Sequence, residues 1–108
     1  MYADYALIFK ALSDETRLKI VEMISCEEMC ACDILEFFHI TQPTLSYHMK
    51  ILTECNLVDS RKDGAWMRYR LNKENLEGMT QYLSGLVSEG HSCICNNYNY
   101  KEGKKCES

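Results

Sequence analysis

Two thiols separated by a single residue, Cys30 and Cys32 in Cys30-Ala31-Cys32-Asp33, are the groups of this 108-residue chain best suited to chemistry. Thiolates are soft ligands and good nucleophiles, so such a pair invites a thiol-seeking metal or metalloid, or oxidation. It lies one short helix ahead of Thr41-Gln42-Pro43-Thr44-Leu45-Ser46-Tyr47-His48-Met49-Lys50, which has the layout of a DNA-recognition helix. A thiol pair set so close to a DNA-reading motif suggests that a thiol-seeking ligand controls DNA binding.

Five further cysteines stand at positions 26, 55, 93, 95 and 106. In a secreted miniprotein they would suggest a disulfide scaffold, but the count is odd and the N-terminus lacks the basic-then-apolar layout of a signal peptide. In a reducing compartment clustered cysteines are more often ligands or redox sensors than staples. No apolar run approaches the roughly 20 residues a membrane span needs, so the expected location is the cytoplasm. Cys55, alone beside Leu52 and Leu57, reads as a small buried hydrophobe.

The thiols must be positioned by helices. Tyr5, Ile8, Phe9 and Leu12 recur at helical spacing over residues 4–12. Ser13 caps a second helix, with Asp14 and Glu15 in its first turn and Leu18, Val21 and Ile24 as its buried stripe; Arg17, Lys19 and Glu22 lie outside that stripe. A third helix over residues 31–38 buries Ile34, Leu35 and Phe38, and His39-Ile40 separates it from the N-cap Thr41. Pro43 falls in the first turn of the fourth helix, where a missing N–H costs nothing. That helix buries Leu45, Met49 and Leu52 and ends near Asn56, a residue that tolerates a left-handed cap. Two helices joined by so short a turn make a helix-turn-helix.

Strict alternation in Trp66-Met67-Arg68-Tyr69-Arg70-Leu71 sets Met67, Tyr69 and Leu71 on one face and Trp66, Arg68 and Arg70 on the other. Asp63-Gly64 marks the turn of a two-stranded wing. Asn72 caps a last helix with Leu76, Met79, Leu83, Leu86 and Val87 at helical spacing. The expected fold is mainly α with a small β-hairpin, a winged helix-turn-helix of about five helices. Residues 1–90 form the DNA-binding and dimerisation domain, and residues 91–108 a flexible tail containing Cys93, Cys95 and Cys106.

The net charge of −4 does not favour nucleic acid, yet its distribution does. Residues 41–70 hold five basic side chains (Lys50, Arg61, Lys62, Arg68, Arg70) against three acidic ones, so a basic strip sits on an acidic body. Gln42, Thr44, Ser46, Tyr47, His48 and Lys50 crowd the half of the fourth helix that enters a major groove, where Gln pairs with adenine and Lys takes a phosphate. Arg61, Lys62 and Arg68 would grip the flanking backbone or minor groove.

The order of a Ser13-Asp14-Glu15-Thr16-Arg17-Leu18 helix, a Cys30-Ala31-Cys32-Asp33 helix, a Thr41-to-His48 helix, wing and final helix resembles the ArsR/SmtB family of winged-helix repressors, nearest its arsenic-responsive branch, over about residues 4–90. The resemblance implies a homodimer joined through the first and last helices, bound to double-stranded operator DNA without a cofactor and released by an inducer. The apolar residues Tyr5, Ile8, Phe9, Leu76, Met79, Leu83, Leu86 and Val87 are the candidate dimer face. No membrane or further protein partner is indicated.

Arsenite and antimonite are soft, three-coordinate electrophiles that three thiolates satisfy. Cys30 and Cys32 supply two. Leu35 occupies the position one turn on, so the third would come from Cys26, Cys93, Cys95 or Cys106. Residues two apart on a helix diverge by about 200°, so the ligand must hold or pull that turn out of helical form. Cadmium, lead or zinc sensing is the rival, with four sulfurs from Cys30, Cys32, Cys93 and Cys95 able to hold cadmium or lead. The last helix lacks the histidines a zinc site there would use, and His91 near Cys93 is a weak hint of one. A thiol redox switch on the same fold is a second alternative. No Cys-x-x-Cys, nucleophile-base pairing or phosphate loop marks an enzyme.

Overall fold

The computed structural model describes residues 2–88. The expected tail at 91–108, with Cys93, Cys95 and Cys106, lies outside them. The chain divides into two units, Met1–Gly78 and Met79–Ser108, and the last helix runs across the division. In chain order the elements are α1 (Tyr2–Ala11), α2 (Glu15–Ile24), β1 (Met29–Cys30), α3 (Ala31–Leu35), α4 (Gln42–Glu54), β2 (Val58–Asp63), β3 (Trp66–Leu71) and α5 (Lys73–Val87). Five helices and a small antiparallel sheet make a mainly helical winged helix-turn-helix.

The sheet has three strands rather than the two expected of a wing, in the order β1-β3-β2. β2 and β3 pair from Val58↔Leu71 to Asp63↔Trp66, closed by Gly64-Ala65. Gly64 takes a positive φ of 63° and Ala65 does not, the pattern of a II′ turn with glycine at its first central position. On the far side β3 pairs with β1, Met29 opposite Tyr69 and Cys30 opposite Arg68. Thus the first thiol of the pair ends a strand of the sheet.

α2 starts on Asp14, not Ser13: the Asp14 carboxylate accepts from the Arg17 N–H at 3.1 Å, whereas the Ser13 hydroxyl donates back to the Lys10 carbonyl. Its buried face is Arg17, Ile20 and Ile24, which corrects the expected stripe, since Leu18 is 51% exposed. Arg17 can be inside because its Nε–H donates to the Ala11 carbonyl at 2.6 Å, so the charge is not left unpartnered. Ile20, Ile24, Ile34, Leu45, Met49, Leu52, Leu57 and Val58 are fully buried, at about 1.5–3 kcal/mol for each large aliphatic side chain.

α4 follows its sequence closely. Thr41 Oγ1 accepts from the Thr44 N–H at 3.3 Å, and Leu45, Met49 and Leu52 face inward. At its end the Asn56 N–H donates to the Thr53 carbonyl and the Leu57 N–H to the Leu52 carbonyl, a Schellman motif that needs the left-handed φ of 63° at Asn56. α3 stops at Leu35, earlier than the expected Phe38, so the turn to α4 spans residues 36–41. Cys55 is half-buried, its thiol donating to the Leu52 carbonyl.

Candidate functional site

α4 turns most of its expected DNA-reading side chains outward: Gln42, Thr44, Ser46, Tyr47 and Lys50 are all exposed. His48 is the exception. Its side chain is only 12% exposed, and its Nδ1 stands 3.1 Å from the Arg17 guanidinium and 3.9 Å from the Asp14 carboxylate. A guanidinium only donates, so Nδ1 accepts and Nε2 carries the ring proton. His48, expected from its place in the sequence to face DNA, therefore ties α4 to α2. The Asp14 carboxyl is held below its usual range, chiefly by the Arg17 backbone N–H and further by the nearby Arg17 charge.

The polar face of the wing carries Asp59, Arg61 and Asp63 on β2 opposite Arg70, Arg68 and Trp66 on β3. The three arginines of the expected basic strip are paired within the fold. Arg70 pairs with Asp59 at 3.2 Å, and Arg68 lies 3.8 Å from Asp63. Arg61 and Arg68, directly opposite each other across the strands, both donate to Oε1 of Glu28, at 2.7 and 2.8 Å. The Glu28 carboxyl is thereby held down at about 2, first by the Arg61 hydrogen bond and then by that of Arg68. Glu28 was missed in the sequence because only the pairing of β1 with β3 brings it there. Lys62, on the opposite face of β2, is exposed.

Cys30 closes β1 and is the N-cap of α3, in an extended conformation with φ −85° and ψ 157°. Only Cys32 is helical, so the two side chains converge instead of diverging by half a turn. They are joined Sγ to Sγ, with Cα atoms 5.4 Å apart. The non-helical turn that the spacing demands is already supplied by β1, so no unwinding is required to bring the sulfurs together. The Asp33 carboxylate accepts from the Cys30 N–H at 3.4 Å, and the two sulfurs and a carboxylate oxygen of Asp33 lie within 4.8 Å of one another. Asp33 is a hard oxygen donor, a poor match to arsenite. Among the described residues Cys26 is exposed and outside this cluster.

On the candidate dimer helices, Ile8 and Met79 are already buried within the chain, while Tyr5 and Leu76 are half-buried. The exposed apolar side chains are Leu7 and Phe9 on α1 and Leu83, Leu86 and Val87 on α5. Among the described residues no helix is long and apolar enough to cross a membrane.

A capped recognition helix beside a hairpin wing defines a winged helix-turn-helix. Residues 14–60 match the family model for bacterial regulatory proteins of the arsR family. The chain is 45% identical over 96 residues to an arsenical resistance operon repressor of Staphylococcus aureus, covering 89% of this chain and 92% of that one. It is 42% identical over 91 residues to the arsenical resistance operon repressor of Bacillus subtilis strain 168, with 83% and 80% covered. An ArsR-like transcriptional regulator from Rhodococcus sp. RHA1 superposes with a TM-score of 0.72 at 31% identity, covering 82% of this chain and 83% of the other. The chain belongs to the ArsR family and is a transcriptional repressor of that type.

Proposed function

We propose that this repressor holds its operator as a homodimer and lets go when arsenite or antimonite is captured by Cys30, Cys32 and a third thiolate. The observation that carries the reading is the meeting of the two sulfurs where β1, which pairs with wing strand β3, passes into α3, the helix that precedes the recognition helix. The described residues offer two sulfurs and one carboxylate there, so the third sulfur comes from Cys26, Cys93, Cys95 or Cys106 of either subunit. The repressor works where its DNA is, in the cytoplasm, and needs no cofactor to bind it.

On the DNA, Gln42, Thr44, Ser46, Tyr47 and Lys50 meet base edges and phosphates, and Arg61, Lys62 and Arg68 hold the flanking backbone. Drawing a third thiolate onto the Cys30–Cys32 turn moves β1 against β3 and α3 against α4. Coupling of about 1–3 kcal/mol, or roughly 5- to 150-fold in operator affinity, is the expected scale. Fluorescence anisotropy of a labelled operator duplex tests it: arsenite weakens binding by the reduced protein, and Cys30→Ser or Cys32→Ser abolishes the response. Undiminished release in both variants overturns the reading. Release by cadmium, lead or zinc with no arsenite response assigns the inducer to a metal ion instead.

A second reading is favoured by the bond between the same two sulfurs. Two thiols and one peroxide give one disulfide and two waters, so the pair could act as a redox switch without a metalloid. Peroxide-induced release, reversed by dithiothreitol and unaccompanied by an arsenite response, would select it.

A further inference from the structure

The wing arginines expected to hold DNA phosphates already hold an anion. Arg61 and Arg68 are cross-strand partners, and like charges directly opposite each other destabilise a hairpin. Glu28, one residue before β1, reaches between them. Its Oε1 accepts from Arg61 at 2.7 Å and from Arg68 Nε at 2.8 Å, and its Oε2 stands 3.4 Å from Arg61 Nε. Two guanidinium groups converging on two oxygens of one anion is the arrangement by which arginines take a phosphate. Side-chain exposure is 60% at Arg61 and 31% at Arg68, so an incoming phosphate can reach the pair.

We propose that Glu28 is a built-in stand-in for a DNA phosphate: it occupies the Arg61–Arg68 seat in the free repressor and is displaced by the nucleic-acid backbone on binding. Glu28 therefore sets the electrostatic part of DNA affinity by competition. In the free protein it also keeps the arginine pair from repelling, and it discourages casual binding to other polyanions. The inference rests on the reading that the wing touches DNA, which nothing in the competition itself requires of α4 or of the thiols.

The probe is a labelled duplex of random sequence, because binding without sequence preference is almost wholly a phosphate interaction. Anisotropy titrations of the full chain over a range of salt compare Glu28→Gln, Glu28→Ala and Glu27→Gln with the unaltered protein. Glu27→Gln removes the same charge one residue away. Both Glu28 variants are expected to bind about 3- to 10-fold more tightly and to steepen the logarithmic salt dependence by about one unit, with Glu27→Gln well below either. Thermal midpoints verify that each variant is folded, and the Nε–H signals of Arg61 and Arg68 in the unaltered protein should move as duplex is added. Glu28 variants that bind no more tightly than Glu27→Gln, or signals that stay put while DNA binds, overturn the proposal. Arg61→Ala and Arg68→Ala separate the two levels: if neither weakens duplex binding, the wing reading itself fails, whereas weakened binding with unresponsive Glu28 variants fails only the competition.

Discussion

At the scale of single residues, Arg17 is the side chain whose role differs most from its type. A charged group on α2 would ordinarily lie in solvent, yet Arg17 is 9% exposed. Its Nε–H satisfies the Ala11 carbonyl at the end of α1, and its terminal nitrogen meets His48 on α4, so one side chain links three helices. Arg17→Met keeps the aliphatic stem and removes both hydrogen bonds. Because a buried acceptor is then left unmet, urea unfolding should lose about 1–3 kcal/mol with little change in slope. An unchanged midpoint would mean that water replaces the guanidinium at no cost. The neighbouring Asp14 gives a pH signature. Its carboxyl titrates below its ordinary value of 3.8 in the folded state, so its contribution is complete above that value and is lost as the pH falls from there through the lower folded-state value. Asp14→Asn keeps a capping oxygen without the titration, and its stability should decline less on acidification than that of the unaltered protein, followed by circular dichroism between about pH 5 and 2.

At the scale of elements, α4 and the hairpin were legible in the sequence because their signals are local. Thr41, Pro43 and the Leu45-Met49-Leu52 stripe each act within a few residues, and Gly64 dictates its own turn. β1 was not legible: two residues carry no periodicity, and the strand exists only because β3 lies beside it. The thiol site was half legible for the same reason. Its residue types were readable, but the convergence of its sulfurs depends on Cys30 being the last residue of a strand and not the first of a helix. The partnering of Arg61 and Arg68 also needed Glu28 to be brought across by that pairing. Asn56 is a local signal whose consequence can be measured. Asn56→Ala forces a side chain with little tolerance for positive φ into the Schellman turn, at about 1 kcal/mol, while Asn56→Gly should be neutral or stabilising. Thermal unfolding of the pair distinguishes backbone strain from loss of the amide, since the latter would lower both alike.

At the scale of the whole molecule, what remains unaccounted for is exposed apolar surface on the first and last helices. Val87 is 85% exposed and Leu86 56%, and Leu7 and Phe9 on α1 are open to solvent as well. Such groups cost little singly, but those of α5 share a helix with Met79, and a second copy of the chain would cover them symmetrically. A dimer also suits the DNA, because two recognition helices about 34 Å apart can read two half-sites on one face of the duplex. Leu86→Glu should therefore raise the dimer dissociation constant roughly 10- to 100-fold, the equivalent of losing one buried leucine, as read by sedimentation equilibrium. The same variant should lose affinity for a duplex with two half-sites while binding a single half-site as before, because α4 and the wing lie in other parts of the chain. Equal loss on both duplexes would point to a damaged domain, and an unaltered mass would exclude Leu86 from any partner surface.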